Sequence, residues 1–153
     1  MIRKITEDKR SCMELLLIGD EQEDMILRYL DRCELYAYET NGYICGICAV
    51  TDEGNGVLEI KNIAVKPQYQ RRGIGRELIR FIEREYSGRY RILTLGTGDS
   101  PLTVPFYERC GFRRSGSIPD FFTINYDHPI IEAGVQLRDM ILFEKELGGP
   151  DDT

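Results

Sequence analysis

Long apolar runs are missing from this sequence. Its unbroken hydrophobic stretches stop at four or five residues, as at Leu15–Ile18, while a bilayer-crossing helix needs roughly 20. No membrane role is expected. The opening Met1-Ile2-Arg3-Lys4-Ile5-Thr6-Glu7 has no apolar core followed by a cleavage site. An export signal is therefore not expected, and the chain reads as cytoplasmic. Histidine occurs once, and no cluster of His, Cys and carboxylates has ligand spacing, so no metal is expected. Cysteine is present in odd number: five, in a chain without a secretory signal, read as reduced thiols rather than a disulfide framework. The one suggestive pair, Cys45 and Cys48, falls in a strand-like run. Residues three apart on a strand point to opposite faces, and plain buried thiols are expected there. Repeats, linkers and low-complexity stretches are also missing.

What is present is an ordinary globular composition, 42% apolar and 30% charged over 153 residues, which excludes collagen-like, disordered and disulfide-scaffold classes. A chain of this length buries roughly 70% of its unfolded surface and forms one domain, expected over residues 1–147 with a frayed tail at 148–153. The charge is uneven. Residues 61–91 hold nine basic groups (Lys61, Lys66, Arg71, Arg72, Arg76, Arg80, Arg84, Arg89, Arg91) against Glu77, Glu83 and Glu85, a net +6. With −6 overall, the rest of the chain carries −12. A basic island in an acidic body suits one anionic ligand gripped locally and, elsewhere, a cationic one. It does not suit a nucleic-acid binder, whose whole face would be basic.

Periodicity predicts a short strand at Ile2–Ile5 and a helix capped by Thr6 or Asp8 that runs to about Leu17. After a break at Gly19-Asp20, a second helix is expected over roughly Glu21 to Cys33, with Met25, Ile26, Tyr29, Leu30 and Cys33 on one face. Strands follow at Leu35–Glu39 and Tyr43–Thr51 around the hairpin signal Asn41-Gly42, then at Val57–Val65 after the turn Asp52–Gly56. A third helix carries Ile74, Leu78, Phe81, Ile82 and Tyr86 on one face and ends near Gly88; a strand at Arg91–Leu95 completes a right-handed parallel crossover. A short helix is expected over Leu102–Cys110. The last third reads as an antiparallel hairpin, Phe121–Tyr126 with Leu137–Glu146, whose exposed final strand would suit a homodimer.

Gly73 and Gly75 stand between a strand end and a helix start. Without Cβ atoms the backbone can curl so that successive N–H groups face one hollow, and the helix dipole adds positive potential there. Such a cradle suits a pyrophosphate, with Arg71, Arg72 and Arg76 as satellite charges. It is not a dinucleotide fingerprint, because Leu78 stands where a third glycine belongs, nor a Walker loop, which needs Gly-Lys-Ser/Thr. A plain tight turn with solvated arginines is the competing reading.

Three motifs in order make the pattern specific. Gln70-Arg71-Arg72-Gly73-Ile74-Gly75 resembles the Gln/Arg-x-x-Gly-x-Gly/Ala signature of the GNAT superfamily of acyl-CoA-dependent N-acetyltransferases. Upstream, Ile63-Ala64-Val65-Lys66-Pro67 is similar to the end of that family's fourth strand; downstream, Phe106-Tyr107-Glu108-Arg109-Cys110-Gly111-Phe112 is similar to its Leu/Phe-Tyr-Glu-Lys-x-Gly-Phe segment. The resemblance implies an α/β fold of the α+β type. Its central sheet would be mixed and mostly antiparallel, with six to seven strands, splayed parallel fourth and fifth strands and about four flanking helices. It also implies acetyl-CoA as co-substrate, a primary amine as acceptor and direct attack in a ternary complex. A non-catalytic acyl-CoA-binding sensor or scaffold is the alternative. The backbone of residues 71–76 would hold the pyrophosphate, with Gln70 opening the loop. Ile63, Ala64 and Val65 would meet the pantetheine arm like an added strand. Ser100 stands where many members carry a pantetheine-binding Asn, and an N–H of Ile63 or Val65 would meet the oxyanion.

The same resemblance puts Tyr107 where a hydroxyl protonates the leaving thiolate, and Glu59 where several members place a catalytic glutamate. Read from residues alone, Tyr107 would be core, while Glu59 would pair with Lys61 or face solvent. By strand alternation Glu59 shares a face with Lys61 and Ile63. Residues 116–134 fit the family least, in the region where acceptors are chosen. Asp120, Asp127 and Glu132 among Phe121, Phe122 and Tyr126, with the lone His128, would suit a cationic amine there. A solvated loop is the alternative.

Overall fold

Turn chemistry builds the first half of the sheet. Asn41-Gly42 and Asn55-Gly56 take positive φ at both residues, 51° and 80°, then 55° and 77°, a tight turn whose twist matches that of paired strands. In the computed structural model, which describes residues 1–148, these turns join β2 (Glu34–Thr40), β3 (Tyr43–Gly54) and β4 (Val57–Val65) into an antiparallel meander. Strand β1 (Ile2–Ile5) pairs along the outer edge of β2. Residues 149–153 of the expected tail lie outside the described residues.

Between β1 and β2 lie a 3₁₀ turn (Lys9–Cys12), α1 (Met13–Gly19) and α2 (Glu23–Leu27). Neither expected cap is made. Asp8 precedes the 3₁₀ turn without a side-chain bond. The helix expected to reach Cys33 closes at Leu27 and continues as turns, with Leu30 N–H on Ile26 C=O at 3.1 Å and Cys33 N–H on Tyr29 C=O at 3.0 Å. These bonds keep the expected face, Met25 to Cys33, buried. After β4, the amphipathic α3 (Ile74–Tyr86) carries the chain across to β5 (Ile92–Gly98), parallel to β4. Helix α4 (Val104–Arg109), β6 (Arg113–Ile118), α5 (Phe121–Asn125), the small hairpin β7 (Ile131–Glu132) with β8 (Val135–Gln136), and β9 (Met140–Glu146) follow. Sheet order is β1-β2-β3-β4-β5-β9-β6.

The C-terminal expectation is corrected. Phe121–Asn125 is helical, because Asp120 turns left-handed and accepts the Ile124 N–H at 2.9 Å. Phe122 and Tyr126 then stack four residues apart. The partner of β9 is β6, whose six residues are all exposed and so show no alternation in the sequence. Strand β9 is also not an exposed edge, since β5 and β6 flank it, and the ground for a dimer falls away. Among the described residues there are five α-helices, where about four were expected. Among the described residues, no helix is long and apolar enough to cross a membrane.

Two bulges decide what faces what. Opposite Glu39 and Tyr38, β3 offers Ile44 and Gly46, so Cys45 is an extra residue. A bulge resets alternation by one, and Cys45 and Cys48 enter the same core cluster instead of opposite faces. All five cysteines are free thiols and buried. In β4, Ile60 faces Val50 while Asn62 faces Ala49, leaving Lys61 as the extra residue. Leu58, Ile60, Ile63 and Val65 all pack on the α3 side of the sheet. Asn62 turns to the α1 side, where its Nδ2 donates to Leu16 C=O at 2.9 Å and Tyr29 Oη at 3.0 Å. A Cβ at Gly19 would sit 2.1 Å from Asn62 Oδ1, so only glycine lets α1 end against β4.

The splay follows from register. Strands β4 and β5 pair only over Val57–Ile60 and Ile92–Leu95. Beyond Ile60 the first stays with β3 to Val65, and the second stays with β9 to Gly98.

Candidate active site

The parted strands open a cleft of about 810 Å³. One wall is the free edge of β4. Lys66 N–H bonds Cys45 C=O at 2.8 Å, and Val65 opposes Gly46. In an antiparallel ladder this leaves the N–H and C=O of Val65 pointing away from β3, towards the cleft, and those of Ile63 two residues earlier likewise. The Val65 carbonyl accepts Gln70 Nε2 at 3.0 Å. Ala64 pairs with Ile47 and lends its side chain to the lining.

The second wall is the loop into α3. Pro67–Tyr69 forms a 3₁₀ turn, Arg71 sits at φ 63° and Gly73, the N-cap residue, at φ 81°. The first helical bond runs from Glu77 N–H to Gly73 C=O at 2.9 Å. The N–H groups of Ile74, Gly75 and Arg76 therefore have no intrahelical acceptor. Gln70, Arg71, Gly73, Ile74, Gly75 and Arg76 line the cleft. Arg72 instead lies over the Tyr69 ring, 5.4 Å from its centroid. A Cβ at Gly75 would come 3.3 Å from Phe106 Cζ, so glycine there sets the approach of α3 to α4.

Helix α4 presents Tyr107 to the cleft. Its ring packs against Phe106, Phe112 and Phe143 at centroid distances of 5.2, 6.0 and 6.1 Å. Burial, then the neighbouring Cys48, Cys110 and Glu132, push its hydroxyl well above the ordinary phenol value. Ser100 is buried. Its Oγ accepts the Leu102 N–H at 3.1 Å, and its carbonyl accepts the Val104 N–H at 3.1 Å, so it shapes the turn into α4. The cleft surface beside it comes from Pro101, Leu102 and Thr103, with Thr97 Oγ1 donating to Thr103 Oγ1 at 2.9 Å.

Glu59 lies on the opposite face of β4 from Ile63, because the bulge at Lys61 turns the later residues over. Its carboxylate pairs with Lys61 Nζ at 2.8 Å, and it is Lys61 that reaches the cleft.

The far end is built by the close of α1 and the excursion between β6 and β9: Asp20, Glu21, Phe122, Tyr126, Ile130 and Glu132. Tyr126 Oη donates to Asp20 Oδ1 at 2.8 Å, and burial raises the Asp20 carboxyl. The cations Arg71 and Arg76 belong to the α3 wall and these carboxylates to the far one. Of the expected acceptor residues, Phe122, Tyr126 and Glu132 line the cleft, whereas Asp120, Phe121, Asp127 and His128 do not. Asp120 is exposed, with its N–H on Asp139 Oδ1 at 2.8 Å, and Phe121 packs on Phe122 with centroids 5.3 Å apart. His128 lines a smaller pocket of about 250 Å³ that shares Phe122, Tyr126, Ile130 and Leu137 with the cleft. Asp20 and Glu21 escaped sequence reasoning because nothing local ties α1 to a segment about a hundred residues on.

His128 straps that excursion down. Its Nδ1 meets Asp127 Oδ1 at 2.6 Å and its Nε2 meets Glu21 Oε1 at 3.0 Å. Both carboxylates favour the imidazolium and raise the His128 pKa, Asp127 most. A raised folded value means the strap is fully made below the unfolded pKa of about 6.5 and lost as pH climbs through the higher folded one. The melting temperature should therefore fall slightly as pH rises above about 6.5, and His128→Gln should flatten that slope. A melting series with an identical slope in the variant would contradict the strap.

A parallel strand pair parted beside a glycine-led helix start, with a buried tyrosine between the walls, defines an acyltransferase-like cleft. Residues 31–114 match the acetyltransferase (GNAT) domain, and the chain belongs to the GNAT acetyltransferase family. It is 35% identical over 130 residues, 84% of each chain, to the uncharacterized N-acetyltransferase YvbK of Bacillus subtilis (strain 168). Its structure resembles a GNAT family acetyltransferase from Elizabethkingia anophelis with acetyl-CoA bound, with a TM-score of 0.90, 34% identity and coverage of 95% and 97% of the two chains. It also resembles a Bacillus subtilis acetyltransferase in complex with CoA, with a TM-score of 0.86, 32% identity and coverage of 95% and 97%.

Proposed function

We propose that the single domain of residues 1–147 transfers the acetyl group of acetyl-CoA to a primary amine, borne by a small cationic molecule or by a peptide or protein. The observation that carries this reading is the cleft itself, where free backbone N–H groups on two walls meet the one buried tyrosine facing the gap. A pyrophosphate fits the α3 end: three helix-start N–H groups, the dipole of a 13-residue helix, and Arg71 with Arg76 at the mouth. The free edge of β4 at Ile63 and Val65 suits the amide-bearing pantetheine arm. Thr103 occupies the flank assigned to Ser100 by sequence. Acetyl-CoA bound in the Elizabethkingia relative supports the same occupant here.

The chain's own groups then perform the transfer. A primary amine of pKa about 10.4 is protonated at pH 7, and removing that proton costs roughly 4–5 kcal/mol. The far wall, with Asp20, Glu21 and Glu132, draws the ammonium in and offers acceptors for the proton. A β4 N–H, of Ile63 or Val65, stabilises the tetrahedral oxyanion. Tyr107 gives its proton to the departing sulfur. Glu59 enters only through Lys61, which it holds at the cleft wall.

The direct test titrates the purified chain with acetyl-CoA by calorimetry and follows acetylated products of putrescine, spermidine, an aminoglycoside and a lysyl peptide by mass. Micromolar binding with a +42 Da product from at least one amine, a mass shift on the order of one acetyl group per primary amine, is the expected result. Binding without any product would favour the sensor reading, and no binding would end both.

A further inference from the structure

The cleft carries three carboxylates, and two of them are already engaged. Asp20 accepts from the Tyr126 hydroxyl at 2.8 Å, and Glu21 holds His128 at 3.0 Å. Glu132 differs. It ends β7 immediately before Ala133-Gly134, a turn with φ of 50° and 77° that fixes its place in the hairpin. The hairpin base is tied by Leu137 N–H on Ile130 C=O at 2.8 Å, and both residues are buried with Phe122. Glu132 lines the cleft, yet its Oε2 is sealed from solvent without a hydrogen-bond partner among the described residues. A carboxylate half out of water and short of donors is costly unless a ligand completes it. The second oxygen, Oε1, is not sealed and makes no hydrogen bond to a described residue either, and an ammonium entering the cleft would supply it with both the N–H groups and the charge. Glu132 and Tyr107 line the same cleft, so a carboxylate and a phenol share one chamber.

We propose that Glu132 binds the acceptor's ammonium and takes its proton before attack, an assignment that rests on the transferase reading above. The balance is closed. One proton passes from the ammonium to Glu132 and on to solvent. The C–N bond forms, the C–S bond breaks, and the sulfur takes the Tyr107 proton. The tyrosinate is restored by the proton the nitrogen sheds on becoming an amide.

The test compares the full chain with Glu132→Gln and Glu132→Asp. It uses spermidine acetylation and, needing no acceptor, slow hydrolysis of acetyl-CoA, in which water replaces the amine and yields its proton to the same base. Acetyl-CoA affinity should be unchanged in Glu132→Gln, while kcat/KM and hydrolysis drop at least about tenfold and the acidic limb of the pH–rate profile disappears. Glu132→Asp, with the carboxylate drawn back by one carbon, should recover part of the rate and keep that limb; it stands in if Glu132→Gln melts early. An active wild type with an equally active Glu132→Gln and the same pH profile overturns this assignment alone. A wild type that binds acetyl-CoA but neither acetylates nor hydrolyses it overturns the transferase reading as well.

Discussion

Gly73→Val is expected to weaken acetyl-CoA binding about a hundredfold while the protein still folds. Gly73 sits at φ 81° as the N-cap residue of α3, a region where a β-branched side chain is a genuine outlier. A Cβ there would meet nothing within 4 Å, so no core contact is disturbed. The strain, of order 1–3 kcal/mol, falls on the backbone alone. The loop relieves it by leaving the left-handed conformation, which turns the Ile74 and Gly75 N–H groups off their common hollow. Losing a pyrophosphate cradle of about 2.7 kcal/mol is a hundredfold in Kd. Calorimetric titration decides the matter beside a melting curve, with Gly73→Ala falling between wild type and valine. Undiminished affinity in Gly73→Val would mean that the loop is only a turn.

That loop was legible because its chemistry is local. Two glycines flanked by arginines, between a strand end and an amphipathic helix, describe one glycine-led helix start wherever the rest of the chain goes. The hairpins at Asn41-Gly42 and Asn55-Gly56 were legible for the same reason, and β4 and α3 follow from unbroken periodicity. Bulges were not. Nothing around Lys61 marks it as an extra residue, since its pairing depends on how β3 twists beside β4. The inserted residue turns Asn62 towards α1, returns Ile63 to the side of Leu58, and leaves Glu59 on the face away from both. The alternation that grouped Glu59 with Ile63 was sound up to Lys61 and one residue out of step after it. The strand β6 failed for another reason: with all six residues exposed, it has no hydrophobic face to read.

The far wall shows the same division. Phe121, Phe122 and Tyr126 announced an aromatic cluster, and the cluster exists. Which acids accompany it is a tertiary question. The bonds of Gln22 with Asn125 C=O at 3.2 Å and Asp127 N–H at 2.9 Å fasten the excursion to the close of α1. Those ties bring Asp20 and Glu21 to the wall and leave Asp120 outside. A two-residue turn, rather than any longer pattern, brings Glu132 in.

Tyr107→Phe should lower kcat about a hundredfold with acetyl-CoA affinity unchanged. The substitution is clean because the hydroxyl makes no hydrogen bond to any described residue, so no buried donor or acceptor is orphaned by removing it. The ring contacts with Phe106, Phe112 and Phe143 persist, and the melting temperature should hold. The rate falls because of what burial does to both partners in the proton transfer. Desolvation holds the phenol neutral, with its pKa raised, and a thiolate expelled against the same apolar wall is likewise more basic than in water. In the proposed mechanism, a neutral hydroxyl at that place is the acid that quenches the sulfur. Without it the tetrahedral intermediate returns to thioester more often than it collapses to amide. Because a thiolate of pKa near 8.5 can still leave unprotonated, a slow residual rate is expected rather than none. Single-turnover acetylation separates this from binding, as a defect confined to the chemical step appears there at saturating acetyl-CoA. A Phe variant with wild-type single-turnover rate would remove Tyr107 from the reaction and leave it as a wall of the cleft.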